Sequence, residues 1–217
     1  VRALAIETSG GLGSVALVAA PGGVLAEETF QKGVRHGQAI VPAVERVLAR
    51  ASVKKEALDF FAVGTGPGSY TGLRVGIASA KALAIALEKP IFGVPSFDAA
   101  AAEIPPEAFE GARAVVLIEE ARKDRIYWGL YRPEGTRLVR AADFEVREAG
   151  AALEGVKGPA VLFGGAAGRP VFPHARAVAK IALERAAMGE RDALVEVLPL
   201  YLRPSVPEEK REESGRR

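Results

Sequence analysis

The chain has 217 residues, of which 49% are apolar and 26% charged, and its formal net charge is +2. It has no Cys and only two His, which excludes disulfide frameworks, thiol nucleophiles, Cys-based zinc sites and iron–sulfur clusters. A balance this close to neutral gives no large basic footprint for nucleic acid, and no apolar run reaches the roughly 18–20 residues of a membrane span.

The N-terminus reads as three short strands, Leu4–Thr8, Ser14–Ala19 and Val24–Thr29, separated by glycine turns. Glu7 interrupts the first apolar stretch, so no signal peptide is expected there and the chain is expected in the cytoplasm. Helical spacing of Ile40, Val44, Val47, Leu48 and Ala51 predicts a helix over Gly37–Arg50. Asp59–Val63 reads as a buried strand, followed by the loop GTGPGSYTG and a helix to about Leu87, with Thr71 as its expected cap. Ile91–Val94 is a further strand and a short helix starts near Ser96.

The stretch Ala102–Gly111, with Pro105 and Pro106, reads as a linker, after which the order restarts. Strands are expected at Ala114–Glu119, Arg125–Tyr131, Thr136–Ala141 and Ala160–Phe163, with a short helix near Arg147–Leu153. Ala175–Met188 reads as an amphipathic helix stopped by Gly189. The repeated order strand-strand-strand-helix-strand-helix predicts an α/β protein of two units with mixed sheets. These are residues 1–103 and 104–203, followed by a charged tail, 204–217, expected to be disordered.

Two segments carry candidate chemistry. In AIETSGGLGSVAL, Glu7 ends a strand and Thr8, Ser9 and a glycine turn follow, so that hydroxyls and N–H groups could meet a phosphate; the same residues suit a tight hairpin. GTGPGSYTGLRVG joins a strand to a helix N-terminus that favours anions, yet it lacks the Lys of a Walker loop and the spacing of a dinucleotide fingerprint. Its glycines could equally serve tight packing. Arg74 in the first helical turn opposes the helix dipole and calls for a carboxylate, or an anion, as partner. The helix is apolar almost all round, so a second layer or a partner chain must cover it, and Gly76, Ala80 and Ala84 would permit close approach.

Other features are weaker. The hairpin IEEARKDRIYWGLY mixes basic and aromatic residues, which suits RNA stacking or a core strand with a charged turn. His36 could be a general base or a helix-entry residue, and His174 has less support. LFGGAAGRP could receive a nucleotide base or be a plain turn.

AIETS, His36, GTGPGSYTGLRVGIASAKALA, RIYWGLY and the terminal YLRP together resemble the TsaB (YeaZ) family, from Val1 to about Pro204. The resemblance implies the two-lobed actin-like, heat-shock-chaperone-like ATPase fold, with the second lobe cut short and its C-terminal segment able to return to the first. It implies a non-catalytic subunit in the formation of N6-threonylcarbamoyladenosine in tRNA, supporting the catalytic relative TsaD. A small ATPase, TsaE, joins the pair, and tRNA is met indirectly. Pairing is expected through the helices of the first lobe, with Ile40, Val44, Val47, Ile77, Ala80, Lys81 and Ala84 as the candidate interface. The same helices could form a homodimer when the chain is alone.

Departures from active members of the fold support this reading. Only His36 stands where the catalytic relative has two His, the second-lobe turn has no glycine, and Glu7 stands where many active members have Asp. No catalytic or metal-binding residue is expected, and no cofactor for the chain alone. ATP remains an option within the complex, with Glu7, Thr8, Ser9, Gly66, Gly68 and Ser69 as candidates to hold it. A stand-alone ATP-dependent enzyme, or a peptidase of the same fold, is the alternative.

Overall fold

A computed structural model describes residues 1–21, 23–31 and 39–203 in full and residues 36–38 as backbone. The expected tail, 204–217, and the side chain of His36 lie outside the described residues.

The first sheet is built from β1 (Arg2–Glu7), β2 (Leu12–Ala19), β3 (Gly23–Gln31), β4 (Phe60–Gly64) and β5 (Ile91–Val94), in the order β3-β2-β1-β4-β5. β1 to β3 form an antiparallel meander; β4 joins β1, and β5 joins β4, in parallel through helical crossovers. The crossovers are α1 (His36–Arg50) and α2 (Tyr70–Ala86), and α3 (Ser96–Ala102) leads out of the lobe.

The second sheet comprises β6 (Ala114–Ala121), β7 (Arg125–Glu134), β8 (Arg137–Arg140), β9 (Glu145–Glu148) and β10 (Ala160–Phe163). Its order is β10-β6-β7-β8, with β9 also paired to β7. β10 lies parallel to β6 as β4 lies parallel to β1, and the β6–β7 hairpin repeats β1–β2, so the doubled order seen in the sequence is a doubled topology. This is the two-lobed actin-like arrangement, with no counterpart of β5 among the described residues of the second sheet.

Side-chain alternation along β1 explains the layers. Leu4 and Ile6 point to a core formed with α1 and α2, while Ala3 and Ala5 point to the opposite face. That face is covered by α4 (Ala175–Ala187), whose Ala175, Ala179 and Ala182 meet Ala3, Ala5, Ala16 and Ala62. Small residues on both surfaces allow a helix to lie close on the sheet. The helix expected within the second unit therefore packs on the first. The chain after it stays there: Asp192 bridges to Ile91 and accepts from Gly93 N–H at 2.8 Å, Val197 is buried in the first core, and Leu200 N–H donates to Thr65 O at 2.8 Å.

Local differences have local causes. The helix expected near Arg147–Leu153 is instead β9 and a single 3₁₀ turn at Ala149–Ala151. Val146 pairs with Tyr127, and the glycines Gly150 and Gly155 leave too little chain for a helix nucleus. Ser69, not Thr71, caps α2, accepting from Gly72 N–H at 3.3 Å. The 102–111 linker holds a 3₁₀ turn, Pro106–Phe109, that buries Phe109 in the second core. Among the described residues no helix is long and apolar enough to cross a membrane.

Arg176 on α4 ties three elements together. It bonds Glu103 at the end of α3 and reaches Glu27 on β3 at 2.7 Å, while His174 Nδ1 stands 3.6 Å from the same Glu27 carboxylate. Burial alone would raise the Glu27 carboxyl, but His174 and Arg176 outweigh it and hold it below its ordinary value. Arg176→Ala is expected to cost about 1–3 kcal/mol at pH 7 in urea denaturation, by leaving the half-buried Glu103 without its guanidinium and Glu27 with His174 alone. Because the Glu27 carboxyl is depressed in the folded state, its contribution is present above the unfolded value of 4.5 and lost as pH falls through the folded value. The difference between variant and parent should therefore shrink toward pH 3.

Candidate functional site

The C-terminal ends of β1 and β4 meet the N-terminus of α2, where free helix N–H groups would favour an anion. Here the chain fills that place with its own groups. Glu7 is wholly buried; its Oε1 accepts from Ser9 N–H at 2.6 Å and its Oε2 from the Ser96 hydroxyl at 2.8 Å. Ser96 Oγ also accepts from Gly66 N–H at 3.0 Å, so one hydroxyl couples the carboxyl to the glycine loop. Burial raises the Glu7 carboxyl above its ordinary value, against the lowering effect of the Ser9 and Ser96 hydrogen bonds.

The structure brings Glu7, Thr8, Ser9, Gly66, Gly68 and Ser69 together, and several of their polar groups bond within the chain. Thr8 Oγ1 donates to Gly72 O at 2.8 Å and Ser69 N–H to Ser9 O at 2.7 Å. Ser9, Gly66, Ser69 and Gly72 thus have their N–H groups engaged within the chain. The glycines serve close approach. A Cβ on Gly64 would overlap the Glu7 carboxylate, one on Gly72 the Thr8 carbonyl oxygen, and one on Gly76 the Thr8 hydroxyl. Gly66, at φ +100°, also needs the freedom of glycine.

Opposite this loop the second-lobe turn Arg122–Asp124 places Lys123 and Asp124 at positive φ without glycine. The Arg122 carbonyl accepts from Arg203 at 2.5 Å. Between the lobes, Tyr201 stacks on Tyr70 with ring centroids 4.6 Å apart. A small cavity lined in part by Gly68, Tyr70, Arg122, Leu200 and Tyr201 holds about 20 Å³, room for about one water. The Arg74 guanidinium lies 5.3 Å from the Tyr70 ring centre and bonds the Tyr70 hydroxyl at 3.3 Å.

Several other candidates are structural. Trp128 is buried with its N–H on Ala152 O at 2.8 Å, and Tyr131 is buried with its hydroxyl on Asp98 at 2.8 Å, so these hairpin aromatics belong to the core. In the LFGGAAGRP loop, Gly164 N–H bonds Arg169 O at 2.8 Å and Ala166 N–H bonds Glu120 at 3.1 Å, as in a plain turn. His174 precedes α4 and faces Glu27. Among the described residues, no three of His, Asp and Glu gather to hold a metal.

The expected interface residues are placed differently from the expectation. Ile40, Val44, Val47, Ile77, Ala80 and Ala84 are buried in the first lobe's own core, and Lys81 is half-buried. The small-residue stripe Gly76–Ala80–Ala84 faces inward, because Gly76 must admit the Thr8 side chain of β1's end. The outer face of the two helices is another set: Val41, 49% exposed, on α1, and Ala78, Ala82 and Ile85 on α2, with Ile85 61% exposed. Sequence reasoning also missed Ser96 and the Tyr70–Tyr201 stack. Ser96 stands at the start of a short helix, which gives no sign of its partner Glu7, and Tyr201 pairs across most of the chain's length.

Two substitutions check this geometry. Gly76→Ala in an exposed helix would stabilise by about 1 kcal/mol; here it should destabilise by about 2 kcal/mol or more in urea denaturation, since its Cβ strikes Thr8. Glu7→Gln removes a carboxyl whose folded value is raised, so parental stability is fully present below the unfolded 4.5 and falls as pH rises through the folded value. The melting temperature of Glu7→Gln relative to the parent should rise as pH climbs from 4.5 to the folded value and then level off.

Comparison with known proteins agrees with this architecture. The family model described as TsaD, tRNA N6-adenosine threonylcarbamoyltransferase, matches residues 12–177. An uncharacterised protein of Mycobacterium tuberculosis is 32% identical over 184 residues, covering 83% of this chain and 81% of its own. The tRNA threonylcarbamoyladenosine biosynthesis protein TsaB of Bacillus subtilis is 35% identical over 129 residues, 59% of this chain and 54% of that protein, so the match spans about half of that relative. Among solved structures, YeaZ from Pseudomonas aeruginosa superposes with a TM-score of 0.74 at 30% identity, covering 93% of this chain and 99% of that one. With the same fold over nearly its whole length and relatives at this identity, the chain belongs to the TsaB (YeaZ) family.

Proposed function

We propose that this chain takes part in forming N6-threonylcarbamoyladenosine in tRNA as a non-catalytic subunit that binds and supports a TsaD-like transferase in the cytoplasm. The observation that carries the reading is the loop before α2 closed on its own chain: Glu7 is buried and bonded to Ser9 and Ser96, and Tyr201 stacks on Tyr70. A fold whose nucleotide site is occupied by its own side chains keeps its surfaces and gives up its chemistry. On this reading the chain needs no cofactor of its own, and any ATP of the complex is held by its partners.

The surface kept is the outer face of α1 and α2. Val41, Ala78, Ala82 and Ile85 present apolar area bounded by Glu45, Arg46 and Arg74, the pattern of an apolar patch with a polar rim. A TsaD-like chain of the same fold would set its own first-lobe helices against this face, and a second copy of this chain would do so in its absence. A TsaE-like ATPase joins the assembled pair.

Ala82→Arg and Ile85→Asp are expected to weaken pairing with the transferase at least tenfold, read by light scattering, with the monomer's melting temperature unchanged. Ala80→Arg should instead unfold the monomer, because Ala80 is fully buried. In reconstitution, tRNA modification should fall to background without this chain and with Ala82→Arg. Titration calorimetry of ATP into the isolated chain should show no binding; micromolar binding lost in Glu7→Ala would overturn the non-catalytic reading.

A further inference from the structure

A cavity of about 600 Å³ lies between α3, the β7–β8 hairpin and α4, at the opposite end of β7 from the Arg122–Asp124 turn. That volume falls within the range of small-molecule sites, about 300–1,000 Å³. Its walls are aliphatic, formed by Ala101, Ala102, Ile104, Leu138, Val139 and Ile181. Its most buried ionisable pair is Asp98 on α3 with Tyr131 on β7. Asp98 Oδ1 accepts from the Tyr131 hydroxyl at 2.8 Å, and Arg140 Nε stands 4.0 Å from the same oxygen. Asp98 Oδ2 has no hydrogen bond among the described residues. Burial raises the Asp98 carboxyl above its ordinary value, against the lowering effect of Tyr131 and Arg140, so these two neighbours do not fully replace the water it has lost. Lys180 on α4 also lines the cavity; it is exposed and has no ion pair among the described residues. The other charges are engaged: Arg137 faces Glu184 at 3.5 Å, and the Arg140 guanidinium lies 4.8 Å from the Phe144 ring centre.

We propose that this cavity binds a short aliphatic zwitterion of the dipeptide class, with its ammonium on Asp98 Oδ2 and its carboxylate on Lys180. The two poles decide the class. A simple anion would meet Lys180 but also face Asp98, and a simple cation would do the reverse. A ligand with both signs satisfies the acceptor on α3 and the cation on α4 together. A nucleotide also carries both donors and negative charge, but the walls offer no open aromatic face for its base. The one ring among the lining residues is Tyr131, which is buried and holds Asp98. Aliphatic side chains suit the rest of the walls. The lining comes from the first lobe through α3, from the second through the β7–β8 hairpin, and from α4. An occupant therefore ties the lobes together and stabilises the fold in proportion to its binding. This site is separate from the α1–α2 face, and its failure would leave the proposed function standing.

The test titrates leucyl-leucine into the full chain, followed by calorimetry and by melting temperature. Expected is a dissociation constant of about 1 mM or tighter, with a melting temperature that climbs with peptide concentration. N-acetyl-leucyl-leucine lacks the ammonium and leucyl-leucine amide lacks the carboxylate; each should bind about tenfold more weakly. Asp98→Asn keeps an oxygen for the Tyr131 hydroxyl. It should weaken leucyl-leucine about tenfold and leave the N-acetyl derivative unchanged, whereas a merely structural role would weaken both alike. Lys180→Met should weaken leucyl-leucine about tenfold and leave the amide unchanged. Val139→Trp, at an exposed position on β8, should fill the cavity and abolish binding of all three. Melting curves of the free variants report that the fold is retained, and the two exposed positions keep the test open if Asp98→Asn does not fold. The proposal is overturned by absence of binding at about 10 mM peptide, by derivatives that bind as well as leucyl-leucine, by equal losses for peptide and derivative in a variant, or by AMP binding more tightly than the peptide, which would reassign the cavity to a nucleotide.

Discussion

The first lobe depends on one buried carboxyl. Glu7 has no access to water, and a charge there is expensive unless hydrogen bonds repay it. The chain supplies two, from Ser9 N–H and the Ser96 hydroxyl, and Ser96 also accepts from Gly66 N–H. That single knot joins the end of β1, the start of α3 and the loop before α2. The glycines around it follow from the same requirement, since Gly64 must admit the carboxylate and Gly72 and Gly76 must admit Thr8. A loop that elsewhere would offer free N–H groups to a phosphate is here closed on its own strand.

The return of the chain completes the closure. α4 leaves the second lobe to cover the Ala-rich face of the first sheet, held by Arg176 between Glu103 and Glu27. Arg185 then grips Asp192 at 2.5 Å and Gly93 O at 2.9 Å, directing 192–203 along β5 toward the cleft. Leu200 bonds Thr65, and Tyr201 reaches Tyr70. The two lobes are therefore linked by the main connection at 102–111 and by a returning strap whose last residues occupy the space between them.

The sequence by itself determined the elements. Alternation in β1 and β2, helical spacing in α1 and glycine turns between strands are local signals, and they gave nearly all strands and the doubled order that marks an actin-like fold. The weak points were those where tertiary contacts override local preference: β9 in place of a helix, where pairing with Tyr127 wins over a short helical pattern. The single His36, the glycine-free second turn and Glu7 were also legible in the sequence.

Only the tertiary structure decided which face of each helix is free. α2 is apolar almost all round, so periodicity could not tell its inner stripe from its outer one. The small residues at Gly76, Ala80 and Ala84 suit a partner helix or the protein's own sheet equally well, and the position of Thr8 settles it in favour of the sheet. Likewise, whether Ser9, Gly66 and Ser69 cradle a phosphate or one another depends on groups far away in sequence, Ser96 and Tyr201 among them. Spacing reports what neighbours along the chain can do; burial and hydrogen bonding between distant segments determine what they are left to do.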